Sequence, residues 1–398
     1  MKCLSLVVAA VSGMFIVVSP AFAQTWTQTS APITNWVSVA SAADGSKLVA
    51  AADGGIYIST NSGANWALTT APDRNWQAVS SSADGTKLVA AVNGGGIYTS
   101  LDSGATWTES DAPQTNWYSV AASADGTRLV AVIGGSIAFM SSAPPGPIFT
   151  SANSGANWTV TSVTNADCTS VASSADGSKL VAVANGGPIY SSMNSGTSWT
   201  MTNPTFPYLV SVASSADGTR LMAGTADPFH DSGFPIYLST NSGTTWEATS
   251  SPGSRGRTWV ALSADGTRLA AVEAGRSGGP IIASTNSGAT WMTASAPITN
   301  WSSVAISADG GKVVAVVNGG GIYTSQSTPA PLLSITSSSG EAIISWTIPS
   351  TSFVLQQNSD LTSTNWTNVP AIPTLTNLRY QVTLSSPNGH DFYRLMQR

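Results

Sequence analysis

Seven copies of the tripeptide Ala-Asp-Gly form a regular series along this chain of 398 residues, and their spacing constrains the fold more than any other feature. The repeated aspartates are Asp44, Asp84, Asp125, Asp176, Asp217, Asp265 and Asp309. Successive copies lie 40 to 51 residues apart, which is typical of four-stranded propeller blades. Around each copy, short β-branched runs alternate with Asp-Gly or Gly-rich turns, as in strands joined by hairpins. The sequence therefore predicts an all-β, seven-bladed β-propeller with strands a to d in each blade.

A second motif falls between strands c and d. It reads Ser59-Thr-Asn-Ser-Gly-Ala-Asn-Trp66 in its first copy, and it returns at Ser100–Trp107, Ser151–Trp158, Ser192–Trp199, Ser239–Trp246 and Ser284–Trp291. It resembles the Asp-box, S-x-D-x-G-x-x-W, of BNR-like propellers of the sialidase and sortilin type. The resemblance covers roughly residues 24 to 328, although Asn replaces Asp in every copy except that of Asp102. In those families the box is a folding element away from the active site, so the resemblance implies a fold and no functional residue.

The ends of the repeat region indicate how the ring closes. The seventh copy stops after Ser325 without a box or a tryptophan, whereas the segment around Trp26 reads as a strand d without a blade of its own. We therefore expect an N-terminal strand to complete blade seven, which would pair an edge that otherwise invites aggregation.

The N-terminus has the pattern of a secretory signal peptide at residues 1–23. An apolar run from Leu4 to Val18 is followed by Ala21-Phe22-Ala23, a typical cleavage site. The sequence thus predicts a bacterial protein that is secreted, periplasmic or at the cell surface. Cys168 is the one cysteine left after cleavage, and we expect it to be a buried thiol.

The composition limits the partners that this protein can have. Only 9% of residues are charged, the net charge is -5, and no basic stripe is present, so nucleic acid is not an expected partner. No second long apolar run predicts a transmembrane segment. We expect a monomer that uses no cofactor and no metal.

Residues 329–398 form a separate β-rich C-terminal module. Runs such as Ala342–Trp346 and Tyr380–Leu384 read as strands. The ending around Phe392 resembles that of small β-sandwich modules at the C-termini of bacterial exported proteins. A structural or attachment role is the default expectation for such a module.

Two repeated residue types could be mistaken for functional ones. A basic residue follows each Ala-Asp-Gly, at Lys47, Lys87, Arg128, Lys179, Arg220, Arg268 and Lys312. Because each follows an Asp by three residues, we interpret it as a solvated side chain neutralised within its own hairpin. A tryptophan series aligns with the start of strand a, at Trp36, Trp76, Trp117, Trp259 and Trp301, with Cys168 and Leu209 in the other two blades. Apolar replacements favour buried packing, and the alternative is that some of these rings line the channel and stack on sugars.

Candidate functional residues lie where the repeat is broken. In a propeller the b-to-c and d-to-a loops share one face, and loops carry function more often than the blades do. Insertions in the b-to-c loops fall at residues 141–147, 227–235 and 273–280. The ligand-binding candidates on this face, besides the tryptophans, are Asp227, His230, Asp231, Arg255, Arg257, Glu273 and Arg276.

Two functions from different classes fit these residues. The favoured one is a non-catalytic binding propeller that recognises a glycan or a protein through the b-to-c and d-to-a loop face. The alternative is a glycoside hydrolase or polysaccharide lyase, with Asp227 and Glu273 as a carboxylate pair and no sialidase arginine triad. His230 beside Asp231 could serve as an acid/base pair or as metal ligands, but neighbours on one flexible loop rarely hold that geometry. A purely structural or assembly role is the third possibility.

Overall fold

The structure is a computed structural model that describes residues 8–9, 25–134, 145–202, 206, 208–227, 235–251, 256–275, 277–326, 333–338, 341–347, 353–359, 365–376, 379–385 and 392–397. The chain divides into two compact units, one of residues 24–326 and one of residues 1–23 and 327–398. All regular elements in the described ranges are strands, so the all-β prediction is confirmed. Of the sequence candidates, His230, Asp231, Arg255 and Arg276 lie outside the described residues.

The strands are numbered in chain order. Strand β1 (Val8–Ala9) belongs to the second unit. In the first unit the described strands divide into seven antiparallel groups of four, numbered as sheets 1 to 7. They are sheet 1, β3 (Thr34–Ser41), β4 (Leu48–Ala52), β5 (Gly55–Ser59) and β6 (Ala67–Leu68); sheet 2, β7 (Trp76–Ser81), β8 (Leu88–Gly95), β9 (Ile97–Ser100) and β10 (Thr108–Glu109); sheet 3, β11 (Thr115–Ala122), β12 (Leu129–Ile133), β13 (Ile148–Ser151) and β14 (Thr159–Val160); sheet 4, β15 (Cys168–Ser173), β16 (Leu180–Ala184), β17 (Ile189–Ser192) and β18 (Thr200–Thr202); sheet 5, β19 (Leu209–Ser214), β20 (Leu221–Thr225), β21 (Tyr237–Ser239) and β22 (Glu247–Ala248); sheet 6, β23 (Arg257–Leu262), β24 (Leu269–Ala274), β25 (Ile281–Ser284) and β26 (Met292–Thr293); sheet 7, β27 (Trp301–Ile306), β28 (Lys312–Gly320), β29 (Ile322–Gln326) and β2 (Thr25–Gln28).

The seven sheets form a closed ring, and the N-terminal strand completes the last one. The first strand of each sheet contacts the first strand of the next, and β27 of sheet 7 contacts β3 of sheet 1. Short pairings of β8 with β11 and of β28 with β3 also join sheet 2 to sheet 3 and sheet 7 to sheet 1. Strand β2 pairs antiparallel with β29, with Trp26 opposite Ser325. The predicted closure by an N-terminal strand is therefore confirmed.

The core lies between neighbouring sheets. Trp36, Trp76, Trp117 and Trp301 are at most 1% exposed. The ring centroid of each lies 6.3–6.4 Å from that of the half-buried tryptophan in, or directly before, the outer strand of its own sheet. In sheet 5, where Leu209 takes the equivalent position, Phe206 makes the aromatic contact instead, 6.5 Å from Trp246. These rings are thus packing elements of the ring of sheets.

The Ala-Asp-Gly hairpins join each sheet to the next. The glycine has a positive φ of 65–69° in all seven copies. A Cβ on Gly45 would lie 2.7 Å from the Lys312 side chain, and one on Gly85 would lie equally close to Lys47. The aliphatic part of each basic residue therefore packs on the hairpin glycine of the following sheet.

The expected neutralisation within each hairpin is wrong for most copies. For Asp44, Asp84, Asp125 and Asp217 the cation that lowers the pKa of the aspartate comes from the preceding sheet, and only Asp309 is also influenced by the lysine of its own hairpin, Lys312. Hydrogen bonds from Ser82 and Thr86, together with the charge of Lys47, lower the pKa of Asp84 to about 2. The Lys47 ammonium itself reaches the hydroxyl of Ser103 at 3.3 Å, in the box segment of the next sheet. The lysine thus extends across the sheet boundary.

The box segments are turns held by their own side chains. In the first copy the Ser59 hydroxyl accepts the N–H of Gly63 at 2.9 Å, and the side-chain oxygen of Asn61 accepts the N–H of Asn65 at 2.9 Å. Asp102 makes the same contact with the N–H of Thr106. Asn and Asp are therefore interchangeable in this turn, because the amide or carboxylate oxygen of the side chain accepts the same backbone hydrogen bond.

The second unit contains two four-stranded antiparallel sheets. The strand order of the first sheet is β30 (Leu333–Ser338), β31 (Glu341–Thr347), β35 (Arg379–Ser385) and β34 (Thr374–Thr376). The strand order of the second sheet is β1, β36 (Phe392–Gln397), β32 (Phe353–Asn358) and β33 (Thr367–Asn368). Ile344, Trp346 and Val382 from the first sheet form one core with Leu355 and Tyr393 from the second. The two sheets of this unit therefore bury a common apolar core.

Candidate functional site

A cavity of about 630 Å³ lies at the centre of the ring. Each of the seven first strands, β3, β7, β11, β15, β19, β23 and β27, contributes residues to its wall. The remaining wall comes from the ends of sheets 5, 6 and 7 and the loops before them, through Ala226, Asp227, Gly256, Ala274, Gly275, Asn300 and Asn318. The cavity is therefore symmetric around most of the ring and asymmetric on the side of sheets 5 to 7.

The regular part of the wall is lined by serine hydroxyls that the sequence reasoning did not single out. These serines are Ser38, Ser119, Ser170, Ser211 and Ser303, and each accepts the backbone N–H of a valine in the next sheet at 3.1–3.2 Å. A serine hydroxyl that accepts one hydrogen bond keeps its own proton for donation. The wall can therefore donate hydrogen bonds to a ligand.

Sheet 6 breaks the pattern through its register. In the other six sheets the first strand has a β-bulge one residue after its first paired position, for example between Trp36 and Ser38. Strand β23 pairs with β24 without any shift from Arg257 to Leu262. A bulge adds one residue to one strand of a pair, so its loss changes which side chain faces the cavity.

The consequence is that Trp259 does not belong to the buried tryptophan series, and the alignment that placed it there is wrong. Val260 pairs with Ala271 as Val39 pairs with Ala50, so Trp259 occupies the position of Ser38. Trp259 is half-buried and lines the cavity while packing on the apolar cluster between sheets 6 and 7. The sequence carried this signal, because Trp259 precedes Asp265 by six residues, whereas Trp36 precedes Asp44 by eight.

Asp227 and Arg257 are the two charged residues among the described residues of the cavity wall. Asp227 directly follows the end of sheet 5, and its backbone N–H donates to the carbonyl of Gly256 at 2.8 Å. Ala226 and Arg257 form an isolated bridge between sheets 5 and 6. The structure thus brings together three sequence candidates, Asp227, Arg257 and Trp259, at one side of the cavity.

Glu273 lies in a different environment. It is 9% exposed and pairs across the sheet with Thr258. Because Val272 faces sheet 7 and Ala271 faces sheet 5, alternation along the strand turns Glu273 towards sheet 5. Burial raises the pKa of Glu273 to about 7. Glu273 is not one of the residues that line the cavity, so it does not face the same space as Asp227.

The buried pair of Thr258 and Glu273 occupies the place of an apolar pair. In sheet 1 the corresponding pair is Trp36 with Ala52. The Thr258 hydroxyl is fully buried and has no hydrogen-bond partner among the described residues. Sheet 6 therefore differs from its neighbours both in the cavity wall and in the contact with sheet 5.

In the described ranges, no group of three or more His, Cys, Asp or Glu side chains is arranged to hold a metal ion. No helix in the same ranges is long and apolar enough to cross a membrane.

Neither a protein-family profile nor a curated protein sequence matches this chain. Solved structures do resemble it. YCF48 bound to D1 peptide superimposes with a TM-score of 0.57 at 15% identity, over 82% of this chain and 99% of the other. YCF48 from Cyanidioschyzon merolae gives 0.57 at 14% identity, over 75% of this chain and 98% of the other.

An ancestral GH74 enzyme gives a TM-score of 0.57 at 16% identity, over 82% of this chain and 54% of the enzyme. The chain thus spans about half the length of that enzyme. Likeness at these identities shows the fold alone. Together with the closed ring of antiparallel sheets, it shows that this all-β chain contains a β-propeller.

Proposed function

We propose that this protein is an exported, non-catalytic binding propeller that holds a glycan or a protein ligand in its central cavity, on the side of sheets 5 to 7. The observation that carries the proposal is the break in the wall at sheet 6, which places Trp259 beside Arg257 and Asp227 in a cavity whose wall also includes Tyr118 of sheet 3 and the serines and valines of the regular strands. Ligand sites are concave and combine apolar surface with a few polar groups. The predicted signal peptide supports a location outside the cytoplasm.

The chemistry of the wall favours binding over hydrolysis. Glycoside cleavage normally needs two carboxyl groups that flank one bond. Asp227 is the one carboxylate among the described wall residues. The structure of YCF48 bound to D1 peptide supports the idea that a propeller of this fold can hold a peptide.

A hydrolase is the second candidate, and one observation favours it. The raised pKa of Glu273, about 7, is what a general acid requires near neutral pH. The ancestral GH74 enzyme shares the fold. Glu273 would have to turn from the contact between sheets 5 and 6 into the cavity to act with Asp227.

Binding and turnover should be measured on the same preparations. A glycan array and a displayed peptide library report binding, and a panel of chromogenic glycosides reports hydrolysis. The informative variant is Arg257→Gln, with Arg220→Gln as its control, because Arg220 lies at an Ala-Asp-Gly hairpin and bonds to Ser287. We expect binding without turnover, lost in Arg257→Gln and kept in Arg220→Gln. Turnover abolished by Asp227→Asn would replace the binding function with the hydrolase.

A further inference from the structure

The register of sheet 6 suggests what the cavity recognises. A tryptophan stands at a wall position that carries serine in five other sheets and alanine in sheet 2, at Ala78. An indole ring at that position is not needed to close the ring of sheets, since the six other sheets close without one. The replacement therefore gives the cavity an aromatic surface that the equivalent positions of the other sheets do not provide.

The surroundings of Trp259 supply the second part of the argument. The ring rests on the apolar cluster that contains Val272, Trp301 and Val304, and it lines the cavity with the part that this cluster leaves uncovered. Support from behind holds an aromatic ring in one orientation. A ligand that lies on the uncovered part must present an apolar face to it.

The rest of the wall requires a ligand that is polar around its edge. The serines Ser38, Ser119, Ser170, Ser211 and Ser303 keep protons to donate. Gln77, Asn300 and Asn318 add amides, each of which both donates and accepts. Charges are limited to Asp227 and Arg257 among the described wall residues. An uncharged ligand with many hydroxyl groups satisfies this wall better than a charged one.

We infer that the ligand of the central cavity is a saccharide, and that Trp259 is the platform on which one pyranose ring stacks. A pyranose has C–H groups on its face and hydroxyl groups around its edge, which matches an indole next to hydroxyl and amide groups. This inference rests on the proposed binding function and deepens it. It commits to a saccharide rather than a peptide, and it assigns a specificity-determining role to Trp259.

The experiment uses the full mature chain and short oligosaccharides of β-1,4-glucose, β-1,4-mannose, α-1,4-glucose and β-1,4-N-acetylglucosamine as probes. Affinity is measured by calorimetry for the unmodified protein, Trp259→Ser and Trp259→Phe. Serine is the residue of five other sheets at this position, so Trp259→Ser is compatible with the fold. Trp66→Phe, directly before the outer strand of sheet 1, is the matched control for the loss of an indole.

We expect at least one probe to bind, and Trp259→Ser to weaken it about tenfold or more, as loss of an aromatic stacking contact does. Trp259→Phe should retain part of the affinity, and Trp66→Phe all of it. The bound sugar should also show upfield shifts of its ring C–H protons by NMR in the unmodified protein and not in Trp259→Ser, a signature of stacking that a structural role would not give.

The outcomes separate this inference from the proposed function. Saccharide binding that is unchanged in Trp259→Ser overturns the platform role. Binding of displayed peptides that depends on Arg257, with no saccharide bound, overturns the saccharide inference and leaves the binding function standing. Hydrolysis of a bound probe overturns the non-catalytic function while the stacking result still decides the role of Trp259. Absence of binding to both probe classes counts against both proposals.

Discussion

The backbone N–H of Ala308 donates a hydrogen bond of 2.7 Å to the carbonyl oxygen of Ala43, which joins the last Ala-Asp-Gly hairpin to the first. The same bond, at 2.7–2.8 Å, connects every consecutive pair of hairpins, through Ala43, Ala83, Ala124, Ala175, Ala216, Ala264 and Ala308. The repeat thus closes on itself through its backbone. The strand that completes sheet 7 pairs with β29 from Thr25 to Gln28, so it should be as firmly held as any other outer strand.

We expect Trp26→Ala to lower the free energy of unfolding by about 2–3 kcal/mol, somewhat less than for a fully buried tryptophan. The ring centroids of Trp26 and Trp301 lie 6.3 Å apart, and those of Trp66 and Trp36 lie 6.4 Å apart. Urea unfolding of Trp26→Ala and Trp66→Ala should give similar losses. A loss near zero for Trp26→Ala alone would mean that the N-terminal strand does not close the ring.

The hairpin glycines should resist substitution for two separable reasons. Gly45 and Gly186 have similar positive φ values, 65° and 61°, but a Cβ on Gly45 would meet Lys312 at 2.7 Å and one on Gly186 would meet nothing within 4 Å. Gly186→Ala should cost about 1–2 kcal/mol from backbone strain, and Gly45→Ala about 1–3 kcal/mol more from crowding. Equal losses of unfolding free energy for Gly45→Ala and Gly186→Ala, measured by thermal or urea unfolding, would contradict the packing of the Lys312 side chain on Gly45.

Glu273 should make stability depend on pH in a defined window. Its pKa is raised from 4.5 to about 7, so the folded protein binds a proton more tightly than the unfolded chain does. The stabilising contribution is complete below about pH 4.5 and is lost as the pH rises through 7. Relative to Glu273→Gln, the unmodified protein should lose up to about 3 kcal/mol between these values.

Denaturant unfolding at a series of pH values measures this difference, with Glu247→Gln as the control because Glu247 is exposed on β22. Parallel stability profiles for the unmodified protein and Glu273→Gln would show that the carboxyl is not held neutral by burial.

Substitutions of the two kinds of tryptophan in the first strands should lower the stability of the protein by different amounts. Trp36→Ala removes a fully buried ring and should cost about 3–5 kcal/mol. Trp259→Ser removes a half-buried ring at a position where serine is normal, and it should cost less than about 2 kcal/mol. Comparable large losses for both variants, measured by urea unfolding, would return Trp259 to the packing series.

Cys168 should be chemically silent in the folded protein. It is fully buried, and burial raises the pKa of its thiol to about 12, so almost no thiolate is present at pH 8. We expect no reaction with a thiol-specific disulfide reagent at pH 8 until denaturant is added. Afterwards one thiol should react in a chain prepared without the predicted signal peptide, which contains Cys3. Rapid labelling of the native protein would contradict the burial.

Local turn chemistry made much of this fold predictable. Gly45 and its equivalents need a positive φ, and the box segments hold their turns with their own side chains, so both features can be recognised in the sequence without knowledge of the tertiary structure. The unaccompanied Trp26 and the missing last box predicted the closing strand for the same reason.

The two wrong predictions, on Trp259 and on the hairpin aspartates, concern features that depend on neighbouring strands. The loss of a β-bulge in β23 is a property of its pairing with β24, and residue type alone aligned Trp259 with the wrong series. The neutralisation of Asp84 by Lys47 crosses a sheet boundary that no local pattern reveals. The serines of the cavity wall became recognisable as a group only when seven strands were brought around one axis.

A crystal structure of the protein with its tightest-binding oligosaccharide would test the proposed site most directly. We expect the sugar in the central cavity, with one pyranose ring stacked on Trp259 and polar contacts to Arg257 or Asp227. A sugar bound at the Ala-Asp-Gly hairpins or on residues 333–397, with none in the central cavity, would contradict the site proposed here.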